Sequence, residues 1–334
     1  MIFGIFALNT VTGCGTSDHP SGLTITETAD YSTETSGYST ETSGYSFVAY
    51  EGQSIKGEAF LVCGTNGRLD RIFSDNSVET IPLDTDKDLT QALISSDITI
   101  ISGRSGAMLY SRDGQSFSHC DKFTNSDILG LTHFRDKYYS CAMDGTIFAS
   151  DEGISWKLCD KLINKPIIAI SSTDAYCMAI TADTDIFITE DGIIWHQQNF
   201  NNVYDGFYEK HVFTNLIGQG MTFFILGYPK DDPDRPMTMF SDSGGEVWMF
   251  KTLDEINSEE PETYFPMRIN SVCLVAEDIL GACNGGRVVT ITACSSCNLV
   301  SEVTNVDLRC IAIGEEEVLV VGDDFQFSFK GSLD

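Results

Sequence analysis

Four copies of one short turn, spaced almost evenly, constrain this chain more than anything else in it. They read Ser111-Arg-Asp-Gly-Gln-Ser-Phe117, Ser150-Asp-Glu-Gly-Ile-Ser-Trp156, Thr189-Glu-Asp-Gly-Ile-Ile-Trp195 and Ser241-Asp-Ser-Gly-Gly-Glu-Val-Trp248. Gly114 to Gly153 is 39 residues, and Gly153 to Gly192 is 39 again. Runs with strand character flank every copy. In the third repeat they are 128–133, 137–142, 146–150 and 154–159; in the fourth they are 167–172, 175–181, 185–189 and 193–196. A constant period of about 40 residues built from four strands is the pattern of a β-propeller, one blade per repeat.

Extending the register gives seven blades. The second repeat spans 89–120. The turn decays elsewhere while strands persist, in a first repeat (59–64, 68–74), a sixth (269–275, 279–284, 287–293) and a seventh (308–313, 318–322, 325–329). The expected fold is therefore all-β, a seven-bladed propeller of four-stranded antiparallel blades over residues 47–334. The seventh repeat lacks an obvious outer strand. Either residues 23–27 complete it or it stays three-stranded.

The repeated turn resembles the Asp-box, or BNR repeat, of sialidase-like propellers, whose common form is Ser-x-Asp-x-Gly-x-x-Trp. Here one residue is missing between the acid and the glycine. Ser111, Asp113, Gly114, Ser150, Gly153, Trp156, Thr189, Asp191, Gly192, Trp195, Ser241, Gly244 and Trp248 carry the likeness. In physical terms the motif is a hairpin staple. Hydroxyl and carboxylate bond turn amides, glycine supplies the left-handed backbone, and the aromatic ring buries itself between blades. The resemblance implies a fold, with the boxes on the face away from any active site. It does not imply one activity, because relatives include sialidases, other glycosidases, sortilin-type receptors and photosystem II assembly factors. A sialidase needs an arginine triad, often introduced by Arg-Ile-Pro. That tripeptide is absent here, and arginine is scarce. The arginine patch that the resemblance to assembly factors would imply has no match either.

Charge narrows the partners. With 49 acidic and 20 basic residues the formal net charge is −29 at pH 7. Such a surface repels nucleic-acid phosphates and anionic sugars and favours cationic partners. No run of 18 apolar residues is present, so membrane contact is expected only through a lipid anchor. Residues 1–14 supply a candidate: a short apolar stretch leads into Val11-Thr-Gly-Cys14, which resembles a bacterial lipobox without the usual basic residues before it. Residues 15–46 are rich in Ser, Thr, Gly and Glu and repeat Tyr-Ser-Thr-Glu-Thr-Ser-Gly at Tyr31 and Tyr38, the composition of a solvated tether. The expected layout is a monomeric, cell-surface lipoprotein acylated at Cys14.

Eleven cysteines raise the question of disulfides. The repeat register argues against a framework. Cys120 and Cys159 are 39 residues apart, and Cys63, Cys141, Cys177 and Cys283 fall in second strands, as small apolar residues would. Cys294 and Cys297 form the one local pair, read as a turn disulfide or two thiols. Neither they nor His19, His119, His133, His196 and His211 show ligand spacing, and no cofactor or metal is expected. Asp84-Thr-Asp-Lys-Asp88 lacks the glycine and the glutamate of a calcium loop.

Three long insertions, 199–211, 228–236 and 253–266, surround the fifth repeat and belong to a single face of a propeller. Elaborated loops in one sector are where binding resides. The candidate contacts are Tyr204, Tyr208, Asp231, Asp232, Asp234, Arg235 and Tyr264, aromatic and acidic groups suited to a glycan or a cationic protein segment. The favoured reading is a non-catalytic binding or scaffolding propeller. The alternative is a glycoside hydrolase acting on a neutral glycan through paired carboxylates in these loops.

Overall fold

A computed structural model describes residues 49–332 apart from 56–58, 74, 76, 199–209, 246, 253–266, 276–277, 293–295, 315–316 and 324–327. The lipobox, the tether, residues 23–27 and Cys294 lie outside the described residues. The described part is all-β, a β-propeller. Its antiparallel sheets follow one another along the chain, each ordered from inner to outer strand. Those at 49–80, 89–119, 128–161, 167–198, 211–252 and 269–302 are four-stranded blades. The sheet at 308–332 has three strands, Leu308–Ile313, Glu317–Gly322 and Ser328–Ser332. The expectation of seven four-stranded blades is thus corrected to six.

Closure comes from the inner strands. Each touches the next around the ring, and Leu308–Ile313 returns against Ala49–Ile55. Every junction encloses its own apolar cluster. At the closing one, Phe60, Val62 and Ile72 meet Cys310, Ala312, Leu319 and Val321. At the next, Leu61, Leu69 and Leu89 pack with Ile101 and Leu109. Middle strands are therefore covered on both faces. All residues of Cys177–Thr181 are buried, whereas outer strand Lys157–Lys161 is mostly exposed. This sandwiching explains why alternation is weak in the middle strands and why cysteine suits them.

Nearly the same β-bulge recurs at the start of each inner strand. The ladder skips one residue between Ala49 and Glu51, Leu89 and Gln91, Ile167 and Ala169, Phe213 and Asn215, Ile269 and Ser271, and Leu308 and Cys310. In the third blade Leu129 is the residue left over, between Ile128 and Gly130. Bulges increase local twist and turn the extra side chain away from the ladder.

The repeated turns join third to outer strands. In two of them the chemistry is the same. Ser111 Oγ accepts from Gly114 N at 2.9 Å, and Asp113 Oδ1 accepts from Gln115 N and Ser116 N, both at 2.8 Å. Thr189 and Asp191 repeat this with Gly192, Ile193 and Ile194. These amide bonds hold the Asp113 carboxyl down at about 2 and lower that of Asp191. In the fourth copy an extra residue makes Gly245 the amide donor to Ser241 Oγ, at 2.8 Å.

Each turn also locks onto the preceding blade. Gly192 sits against Tyr139, and Gly244 against the Tyr176 ring. Cys120 Sγ donates to Gly153 O at 3.7 Å, and Cys159 Sγ to Gly192 O at 3.3 Å. At the next repeat position the role passes to Gln198, which accepts from Trp248 Nε1 at 3.2 Å. At the first junction Arg71 of the neighbouring sheet donates to Gly114 O. Burial pushes the Cys120 thiol up to about 12, so it stays protonated and unreactive. Trp156 and Trp248 fill the same junctions and donate to Gly153 O and Gly245 O.

One core position breaks the pattern. Asp70 is fully buried, where Leu109, Phe148 and Phe187 stand in the following blades. Burial raises its pKa, opposed by Thr80 Oγ1 at 2.6 Å and Arg68 Nε at 2.7 Å.

Gly192→Ala, which would drive a Cβ into Tyr139 from a left-handed residue (φ 73°), should cost about 3 kcal/mol in urea unfolding. Gly114→Ala has a similar φ of 68° but open space around it, and should cost only the backbone strain of about 1 kcal/mol. Asp70 keeps its proton to higher pH folded than unfolded, so folding is weakened as pH rises from its ordinary value of 3.8 through the raised one. Asp70→Asn should therefore gain stability relative to the native chain between pH 4 and pH 7, read from paired urea midpoints.

Candidate functional site

The two faces of the ring are built differently. One, the turn face, carries the repeated turns and the hairpins between inner and second strands. The other, the connection face, carries the second-to-third turns and the connections between blades. On the connection face a second repeated device appears, one that the sequence reading did not extract. The segments Thr85-Asp-Lys-Asp88-Leu89, Thr124-Asn-Ser-Asp127-Ile128 and Thr304-Asn-Val-Asp307-Leu308 each lead into an inner strand.

Their aspartates reach back to the turn of the preceding sheet. Asp88 Oδ1 accepts from Asn66 N at 3.0 Å, Asp127 Oδ1 from Ser105 N at 2.7 Å, and Asp307 Oδ1 from Gly285 N at 2.9 Å. All three donors have left-handed backbone, with φ of 57°, 57° and 64°. The following glycines, Gly67, Gly106 and Gly286, pack directly on the carbonyls of Thr85, Thr124 and Thr304, where a Cβ would clash. Arg104 spans two of these aspartates, Asp88 at 3.2 Å and Asp127 at 3.6 Å. The spacing that looked like half a calcium loop is this clamp. Among the described residues no group of three or more His, Cys, Asp or Glu could hold a metal ion.

The clamp sequence does not recur before the inner strands of blades 1, 4, 5 and 6. The last two of these junctions flank the fifth blade and carry long connections. The second-to-third turn of blade 5, 230–236, stands there and ties to both sides. Lys230 N donates to Lys210 O at 2.7 Å on one side, and Met267 N donates to Asp234 O at 2.8 Å on the other. Asp232 N to Pro229 O and Arg235 N to Asp232 O fold the turn on itself. Asp231, Asp232 and Asp234 are exposed and Arg235 is half-buried. Beside them the Arg268 guanidinium lies 5.4 Å from the centre of the Tyr228 ring. The structure thus brings Asp231, Asp232, Asp234 and Arg235 into one turn. Tyr204, Tyr208 and Tyr264 lie outside the described residues.

The face opens inward onto a central cavity of about 610 Å³, lined by inner strands. The bulge residues Thr90, Leu129, Ile168, Thr214 and Asn270 are among its lining. Several lining side chains also stitch neighbouring strands. Thr90 Oγ1 donates to Ile128 O at 2.6 Å, Asn270 Nδ2 to Leu308 O at 2.8 Å, and Ser171 Oγ accepts from Gly218 N at 2.9 Å. Asn215 Oδ1 is buried there with no hydrogen-bond partner.

The clamp should be separable from the turn staples. Asp127→Ala leaves Ser105 N unsatisfied and removes one partner of Arg104, and should cost about 1–2 kcal/mol by urea unfolding. Asp136→Ala, in the exposed hairpin turn of blade 3, is the matched change and should cost little.

No family model matches the chain, and no curated protein matches it. Solved structures do. YCF48 bound to D1 peptide aligns at 12% identity with a TM-score of 0.65, covering 86% of this chain and 94% of that one. The WD40 β-propeller domain of Doa1 aligns at 10% identity and TM-score 0.64, over 86% and 93%. The β-propeller domain of Cps50 (Swd1) from Myceliophteria thermophila aligns at 11% and 0.64, over 87% and 99%. At such identities the likeness is one of fold, and the chain takes its place among them as a β-propeller.

Proposed function

We propose that this chain is a non-catalytic binding propeller of the Asp-box type that engages a protein ligand through the blade 5 sector of its connection face. The observation that carries this reading is the exposed turn holding Asp231, Asp232 and Asp234, tied to the chain on both sides between two junctions that lack the Thr-x-x-Asp clamp. At three other junctions of that face Asp88, Asp127 and Asp307 are engaged on backbone amides. Here three carboxylates face solvent, in a protein whose net charge is −29. A basic segment is the complementary ligand, since charge steers encounter and fixes register. The solved YCF48 propeller with a D1 peptide supports a peptide on this architecture. Anchoring outside a bacterial cell by lipid on Cys14 is the second part of the proposal, and it rests on the Val-Thr-Gly-Cys sequence and the tether that follows it.

The test is an array of immobilised peptides and glycans probed with the full chain and with Asp231→Ala/Asp232→Ala/Asp234→Ala. Binding to basic peptides that weakens at least tenfold in the variant, about 1.4 kcal/mol, supports the proposal. Peptide binding indifferent to the substitutions overturns the assigned face. Binding confined to glycans overturns the protein ligand and returns the same turn to sugar recognition.

A further inference from the structure

The turn face carries a patch that the connection-face site does not use. Ile193, Ile194 and Val247 are 69%, 58% and 64% exposed, more open than covered in each case. They occupy the repeated turns of adjacent blades, 4 and 5, just before Trp195 and Trp248. In the blade 2 turn the matching positions are the polar Gln115 and Ser116.

Their exposure is imposed by the backbone. Ile193 N and Ile194 N are both held on Asp191 Oδ1, at 2.8 and 2.9 Å, and Val247 N on Ser243 Oγ at 2.8 Å. The glycines behind them are wedged against Tyr139 and Tyr176 of the preceding blades. The turns cannot roll these side chains inward without breaking both sets of contacts. An apolar surface fixed in water in this way is a docking surface.

The charge around the patch selects the occupant. Glu152, Glu190 and Asp242 stand exposed in the successive turns of blades 3, 4 and 5, with no salt-bridge partner among the described residues. A second copy of this chain, itself at −29, would bring like charge against them. An anionic membrane surface would do the same. We infer that the turn face of blades 3 to 5 docks a basic amphipathic segment of a partner protein, its apolar side chains on Ile193, Ile194 and Val247 and its Lys or Arg side chains on the flanking carboxylates. This surface lies on the opposite side of the ring from the proposed ligand site, so one propeller can hold two partners at once.

The test is fluorescence anisotropy of the full chain with an 18-residue Lys/Leu peptide whose leucines share one helical face. Controls are a Lys/Leu peptide of the same composition in scrambled order and a Glu/Leu peptide of the same pattern. Ile193→Ser/Ile194→Ser/Val247→Ser should raise Kd at least tenfold. Glu152→Gln/Glu190→Gln/Asp242→Asn should weaken binding and flatten its dependence on salt. Each variant is read in an Asp231→Ala/Asp232→Ala/Asp234→Ala background, so that the proposed ligand site does not contribute, and Met143→Ser, on the connection face outside that site, should leave Kd within twofold. All substituted positions are at the surface, and an unchanged thermal midpoint confirms folding. Equal binding by the serine variant overturns the inference, as does equal binding of the scrambled or Glu/Leu peptide, or equal loss in Met143→Ser. Self-association on sedimentation that the serine substitutions abolish would also overturn it, by assigning the patch to a second copy.

Discussion

The structure depends on one recurrent act: a sheet spends a side chain to satisfy a backbone group of its neighbour. Sheets in a ring share no ladder with each other, so apolar burial alone would let them slide. Directional bonds remove that freedom. On the turn face they come from Arg71, Cys120 and Cys159 acting on adjoining turns, with Gln198 accepting from the Trp248 indole in the corresponding place. On the connection face they come from Asp88, Asp127 and Asp307. Around the cavity Thr90, Ser171 and Asn270 do the same between inner strands.

Much of this was legible because the period is written in residues with special backbone needs. Gly114, Gly153 and Gly192 announce the turns, and the 39-residue register then places strands that have no motif of their own. The register even placed the cysteines correctly in second strands, although it treated Cys120 and Cys159 as filler when their thiols are donors across a junction. The seventh repeat shows three strands in the sequence, and three are what the described residues hold, so the total of seven four-stranded blades falls to six. The Thr-x-x-Asp clamp went unread for a different reason. Its partner lies 22 residues upstream in another sheet, so nothing local marks the aspartate as structural. Once its spacing is known, the three copies are plain in the chain.

The candidate site follows the same logic in reverse. Asp231, Asp232 and Asp234 attract attention because, unlike the clamp aspartates Asp88, Asp127 and Asp307, they stand exposed. The turn that carries them is nonetheless well tied, to Lys210 on one side and Met267 on the other. Exposed groups on a fixed frame lose little freedom when they bind, and this is what separates a binding loop from a merely solvated one.

The bulge at the head of each inner strand has a bearing on how such a ring can change over time. The skipped residue is excused from ladder pairing, so its identity is set neither by strand propensity nor by register. In this chain those places hold Thr90, Leu129, Ile168, Thr214, Asn270 and Arg309, hydroxyl, aliphatic, amide and guanidinium groups side by side around one mouth. Thr90, Asn270 and Arg309 also bond a neighbouring strand or a carboxylate, so an exchange there gives up a tie while the ladder below keeps its register. The rim is in effect a row of letters on a constant page, some of them also stitched to the next line.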